Sequence, residues 1–177
     1  MRIKELVRYI KSDVKTHAGV ISFKALIICY YNPSFRLLLN YRIGKYFHKS
    51  SFKLVRFFSV YYKYKQVTKR NCQISLKADL GENVKFNHPL GIVIGDGVIV
   101  KDNVRIWQHV TLGSHGKKGQ ELQYPVINSG VKIYTGATVI GGIEVGEGAM
   151  IGANSVVNVN VPAKAIAVGI PAKILVK

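Results

Sequence analysis

From Ile94 onward, aliphatic residues recur at every sixth position: Ile94, Val100, Ile106 and Leu112, then, after one break, Ile127, Ile133, Val139, Val145, Ile151 and Val157. A period of six is neither the 3.6 of a helix nor the 2 of an ordinary alternating strand. It suits a chain wound into a triangular prism, in which each hexapeptide supplies one short flat strand and one corner. A second register lies four residues after each of these positions, with Val98, Val104, Val110, Val131, Ala137, Ile143, Ala149 and Ser155, and it is mostly small or β-branched. Glycine follows the leading residue at Gly81, Gly95, Gly113, Gly146 and Gly152, where it relaxes the backbone at a turn.

The winding is interrupted twice. The step from Phe86 to Ile94 is eight residues, which places Asn87, His88 and Pro89 in a small bulge. The step from Leu112 to Ile127 is fifteen, so residues 113–125 (GSHGKKGQELQYP) form a loop extruded from a corner. Exceptions in a rigid repeat are where function tends to sit.

Composition divides the chain near Arg70. Residues 1–70 carry 16 basic and 2 acidic residues, leaving 10 and 7 for residues 71–177. Eight of the ten Tyr and six of the seven Phe lie in the first part, and 15 of the 17 Gly in the second. Ile3, Leu6, Val7, Ile10 and Val14 follow helical spacing with basic residues between them, and Asn32-Pro33 is a helix start. Phe35, Leu38, Leu39, Ile43, Tyr46 and Phe47 mark a second face, and Leu54, Phe57, Phe58, Tyr61 and Tyr62 a third. Residues 1–70 therefore read as a basic amphipathic α-helical region, and residues 71–177 as a β-prism domain. Two cysteines, Cys29 and Cys72, argue against a disulfide scaffold or thiolate metal ligation. The N-terminus shows no secretory signal, and the most apolar early stretch, GVISFKALIICYY, is shorter than the roughly 20 residues that cross a bilayer. A cytoplasmic location is expected.

Four stretches carry a family likeness: NHPLGIVIGDGVIVKDNV, WQHVTLGSHGKKG, PVINSGVKIYTGATVIGGIEVGEGAMIGANSVVNVNVP and AVGIPAKIL. In order and spacing they resemble the hexapeptide-repeat acyltransferases, and within them the serine acetyltransferase branch, over about 60% of the chain (residues 71–177 of 177). The resemblance implies a mainly β fold: a left-handed parallel β-helix preceded by short α-helices. It also implies acetyl-CoA as co-substrate, a homotrimer with sites between subunits, and His88 as general base for direct acyl transfer to a hydroxyl.

Three departures accompany it. The family Asp fifteen residues before the catalytic His is Gln73 here, the Asp beside that His is Asn87, and the Arg-His pair before the loop's closing Pro is Gln123-Tyr124. An ammonium is met by an anion and a carboxylate by a cation. Without those charges at these positions, the acceptor is expected to be a sugar hydroxyl of a surface polysaccharide or its precursor, with Tyr124 stacking on the sugar and Trp107, Gln108 and His109 lining the acceptor pocket. Serine O-acetylation is the alternative, and a non-catalytic scaffold or membrane-bound interaction module the second. Ser114, Thr135 and Ala153 match the pantetheine groove, and Lys117, Lys118 and Lys173 are placed to meet the CoA phosphates. His88, His109 and His115 resemble the zinc histidines of γ-class carbonic anhydrases only in number; their spacing departs from that family and no metal is expected. The basic aromatic helices are expected to meet an anionic membrane surface, and compatibly with that to cap the first coil and help oligomerise. No RNA- or DNA-binding motif is present, so nucleic acid is not an expected partner.

Overall fold

A computed structural model describes residues 2–116 and 121–175. Four helices come first: α1 (Ile3–Ala18), α2 (Phe23–Tyr30), α3 (Pro33–His48) and α4 (Lys53–Arg70). Local chemistry sets their ends. The Asn32 side chain accepts from the Ser34 and Phe35 amides ahead of Pro33, and Ser22 caps Ala25 in the same way. Gly19, at φ 75°, closes α1 by donating its amide to Lys15 O at 2.8 Å.

Among the described residues fifteen short strands follow, and they stack into three sheets. One sheet holds β1 (Gln73–Ile74), β4 (Val93–Ile94), β7 (Thr111–Gly113), β10 (Thr138–Ile140) and β13 (Val156–Val157). A second holds β2 (Asp79–Leu80), β5 (Ile99–Val100), β8 (Val126–Ile127) and β11 (Glu144–Val145). The third holds β3 (Lys85–Phe86), β6 (Arg105–Ile106), β9 (Lys132–Ile133), β12 (Met150–Ile151), β14 (Ile166–Gly169) and β15 (Ala172–Leu175). All pairings are parallel except β14 with β15, a terminal hairpin. The fold is the left-handed parallel β-helix. Both six-residue registers point inward: Ile94, Val100, Ile106, Leu112 and Ile127 fill the axis together with Val98, Val104, Val110, Val131 and Ala137. The buried Ser155 hydroxyl accepts from the Gly169 amide at 3.1 Å, so the single polar residue of these registers has a partner.

A β-helix leaves three strand edges open at its first coil, and unpaired backbone there is costly and invites aggregation. Helix side chains close all three. On β1, the Gln66 amide donates to Ile74 O (3.1 Å) and accepts from Ile74 N (3.0 Å), imitating a neighbouring strand. On β2, Tyr41 donates to Ala78 O at 2.6 Å, and Arg42 donates to Leu80 O and Gly81 O, each at 2.6 Å. Lys45 reaches Ala78 O and the Asp79 carboxylate. On β3, the Phe86 amide donates to Ser34 Oγ at 3.0 Å. Leu37, Leu38 and Tyr41 continue the prism core into α3.

The outer faces of α2 and α4 expose Phe23, Ile28, Phe57 and Tyr64. Among the described residues no helix is long and apolar enough to cross a membrane.

Candidate active site

Backbone hydrogen bonds along the edge between the third and first sheets locate the bulge. Asn87 N bonds Ile106 O (2.7 Å), Trp107 N bonds Ile133 O (3.0 Å) and Tyr134 N bonds Ile151 O (3.0 Å), so Asn87, Trp107, Tyr134 and Gly152 stack in one column. In the next column, His109 N bonds Leu90 O (2.8 Å), Gly136 N bonds Gln108 O (3.0 Å) and Asn154 N bonds Thr135 O (2.8 Å). Leu90, Gln108, Thr135 and Ala153 therefore stack. The first coil's two extra residues are thus His88 and Pro89, expelled between the columns. His88 is exposed and holds φ 51°, a left-handed conformation uncommon for a residue with a side chain.

The same edge gathers several of the sequence candidates. Gln108, Thr135 and Ala153 run along the prism from the bulge, giving small or unbranched side chains a straight track. The Gln108 Oε1 atom is buried with no donor among the described residues. An amide oxygen in that state leaves about 1–3 kcal/mol available to a ligand N–H. Trp107 and Tyr134 face each other with ring centroids 4.6 Å apart beside Asn87. His109, at φ 58°, lays its ring over Gly91, where an added Cβ would fall 2.3 Å from Nδ1. Lys173, exposed on the terminal hairpin, pairs with Val168, whose side chain packs on Gly152.

Other candidates lie elsewhere. Gln73 is exposed on the outer face of β1, and among the described residues no hydrogen bond joins it to His88. Ser114, His115, Gln123 and Tyr124 belong to the loop on the edge between the first and second sheets. There His115 and Gln123 lie against Gly141 and Gly142. The Tyr124 ring seats on Gly95 and Gly97, where a Cβ would come within 2.9 and 2.4 Å of it, and it packs half-buried against the core. One chain therefore does not bring Tyr124 to His88. Lys117 and Lys118 fall outside the described residues. Among the described residues no cluster of three or more His, Cys, Asp or Glu is arranged to hold a metal.

No protein-family model matches the chain. The serine acetyltransferase of Buchnera aphidicola subsp. Acyrthosiphon pisum is 37% identical over 170 residues, 96% of this chain and 60% of that protein. Soybean serine acetyltransferase complexed with serine superposes at a TM-score of 0.84 with 30% identity, covering 97% of this chain and 70% of that one. The chain belongs to the serine acetyltransferase family. A third member, the Brucella abortus enzyme in complex with coenzyme A, matches at a TM-score of 0.84 with 28% identity over 98% of this chain and 68% of that one. This family member spans little more than half the length of the curated relatives it matches.

These relatives overturn the sugar-acceptor expectation, and the polysaccharide assignment goes with it. The error was to read the site's charge from three motif positions. The fold sets cations near the bulge that no motif spacing reveals: Arg70 directly precedes Asn71, whose carbonyl accepts from Gly91 N at 2.8 Å, and Arg36 lies within its electrostatic reach. The membrane-surface expectation for residues 1–70 finds no support among the relatives. Sequence reading also missed Tyr134, which partners Trp107 only once the loop's extra residues are counted into the third coil.

Proposed function

We propose that this serine acetyltransferase family member moves the acetyl group of acetyl-CoA onto the hydroxyl of L-serine, with His88 as general base. The observation that carries the reading is the placement of His88: expelled from the first coil, it stands beside Leu90 at the head of the Gln108, Thr135 and Ala153 column. A neutral imidazole there takes the hydroxyl proton, and the oxygen attacks the thioester carbonyl. The tetrahedral intermediate then collapses with release of CoA thiolate, and the imidazolium returns the proton to the sulfur. No acyl-enzyme is needed.

Pantetheine lies along the column in this reading, with an amide N–H meeting Gln108 Oε1 and its phosphates near Lys173. The loop with Ser114 and Tyr124 occupies a different prism edge from His88. A groove walled by both therefore needs a second copy, which favours a homotrimer with three shared sites. Asn87 beside the base supplies a neutral acceptor for the serine ammonium.

Purified protein mixed with acetyl-CoA should release thiol when L-serine is added, with O-acetylserine as the product. Thiol release that is indifferent to serine would overturn the reading.

A further inference from the structure

Arg36 and Arg70 form a pair that the fold leaves without a counter-ion. Arg36 sits in the first turn of α3 and Arg70 ends α4, and the two helices pack side by side. The Nε atoms of both are buried with no acceptor, and among the described residues neither guanidinium has a hydrogen bond or ion pair. Arg36 only lies over the Tyr30 ring, 5.2 Å from its centroid. Burial lowers the Arg70 pKa, and the neighbouring Arg36 charge lowers it further; no Asp or Glu acts in the opposite sense. Two partly desolvated cations within electrostatic reach of each other are unfavourable unless an anion joins them.

Their place in the fold says where that anion would be. Arg70 is followed by Asn71, which is hydrogen-bonded to Gly91 at the end of the His88 bulge. Ser34, two residues before Arg36, holds the amide of Phe86 at the start of the same bulge. The two anchors bracket residues 87–90 between the start of α3 and the end of α4.

We propose that Arg36 and Arg70 bind the carboxylate of the acceptor and hold its hydroxyl toward His88. This rests on the serine reading above and supplies the cation missing at Gln123-Tyr124. Two guanidinium forks suit a carboxylate in a way that a lysine point charge does not. The same chemistry would suit a coenzyme phosphate, so the test separates the two sources.

Arg36→Gln and Arg70→Gln, each made singly, should raise the KM for L-serine about ten- to a hundredfold, the usual worth of a charge-assisted contact. The KM for acetyl-CoA and the kcat should change little. Arg70→Lys should recover only part of the loss. The thermal midpoint should hold or rise, because each change relieves repulsion between unpaired cations; a structural role would lower it instead. A higher KM for acetyl-CoA with an unchanged KM for serine would assign the pair to phosphate and overturn the proposal. Calorimetric titration of L-serine and of inorganic phosphate judges binding without turnover. Heat with serine that disappears in both variants supports the pair even if no thiol is released, in which case only the activity reading fails. Serine binding unchanged in both variants overturns the proposal even if the enzyme is active.

Discussion

His88→Ala should lower kcat by about two to four orders of magnitude, the usual contribution of a positioned general base, while acetyl-CoA binds nearly as before. The side chain stands exposed on two residues expelled from the coil, so its loss removes no core contact. His88→Gln should be as inactive, because an amide donates and accepts hydrogen bonds but does not take the hydroxyl proton at neutral pH. Steady-state thiol release with each variant measures this, and a loss smaller than about tenfold would remove His88 as the base. Coenzyme affinity is the control: if it fell with the rate, the residue would be binding the donor rather than activating the acceptor.

The largest effect on stability is expected at Arg42. Its side chain is 2% exposed and pairs with Asp13, itself 1% exposed, through Nε to Oδ2 at 3.2 Å. It also closes the second sheet's open edge at Leu80 O and Gly81 O, and lies over the Tyr9 ring, 4.3 Å from its centroid. Arg42→Ala strands a buried carboxylate, the buried Leu80 carbonyl and the half-buried Gly81 carbonyl at once. About 3–5 kcal/mol should be lost in urea unfolding, the range for breaking one side of a buried pair. In the native protein burial already pushes the Asp13 carboxyl upward, with Arg42 acting against it. Without Arg42, burial and the Glu82 charge are opposed only by the weaker pull of His17, so Asp13 holds its proton to higher pH, and the loss should grow as pH rises above the carboxylate range. The double variant Asp13→Leu with Arg42→Met should recover part of the loss, since an apolar pair leaves no charge unmatched. Equal stability of Arg42→Ala and the native protein would mean that the helices do not hold the first coil.

The β-helix could be read from the sequence because each six-residue repeat obeys one local rule, with an inward aliphatic and a relaxed corner. The eight-residue step pointed to the bulge, and the hydrogen-bond columns narrowed it to His88 and Pro89. The Asn32-Pro33 start was likewise a local signal, satisfied by neighbouring amides. What the sequence hid depends on distant segments meeting. Arg36 and Arg70 are 34 residues apart among 16 basic residues, and nothing in their spacing separates them from solvated lysines. Gln66 imitates a strand on Ile74 only because α4 folds back on the first coil. Tyr124 looked available as an aromatic platform, but Gly95 and Gly97 a full coil earlier make the seat that takes its ring. Reading substrate charge from Asn87 and Gln123-Tyr124 alone failed for the same reason.

The most direct measurement is a crystal structure with coenzyme A bound. The expected result is pantetheine lying along Gln108, Thr135 and Ala153, its sulfur beside His88, with the Ser114 loop of a neighbouring copy across the groove. Coenzyme A bound on another prism edge, or a His88 ring far from the sulfur and from any second copy, would contradict it.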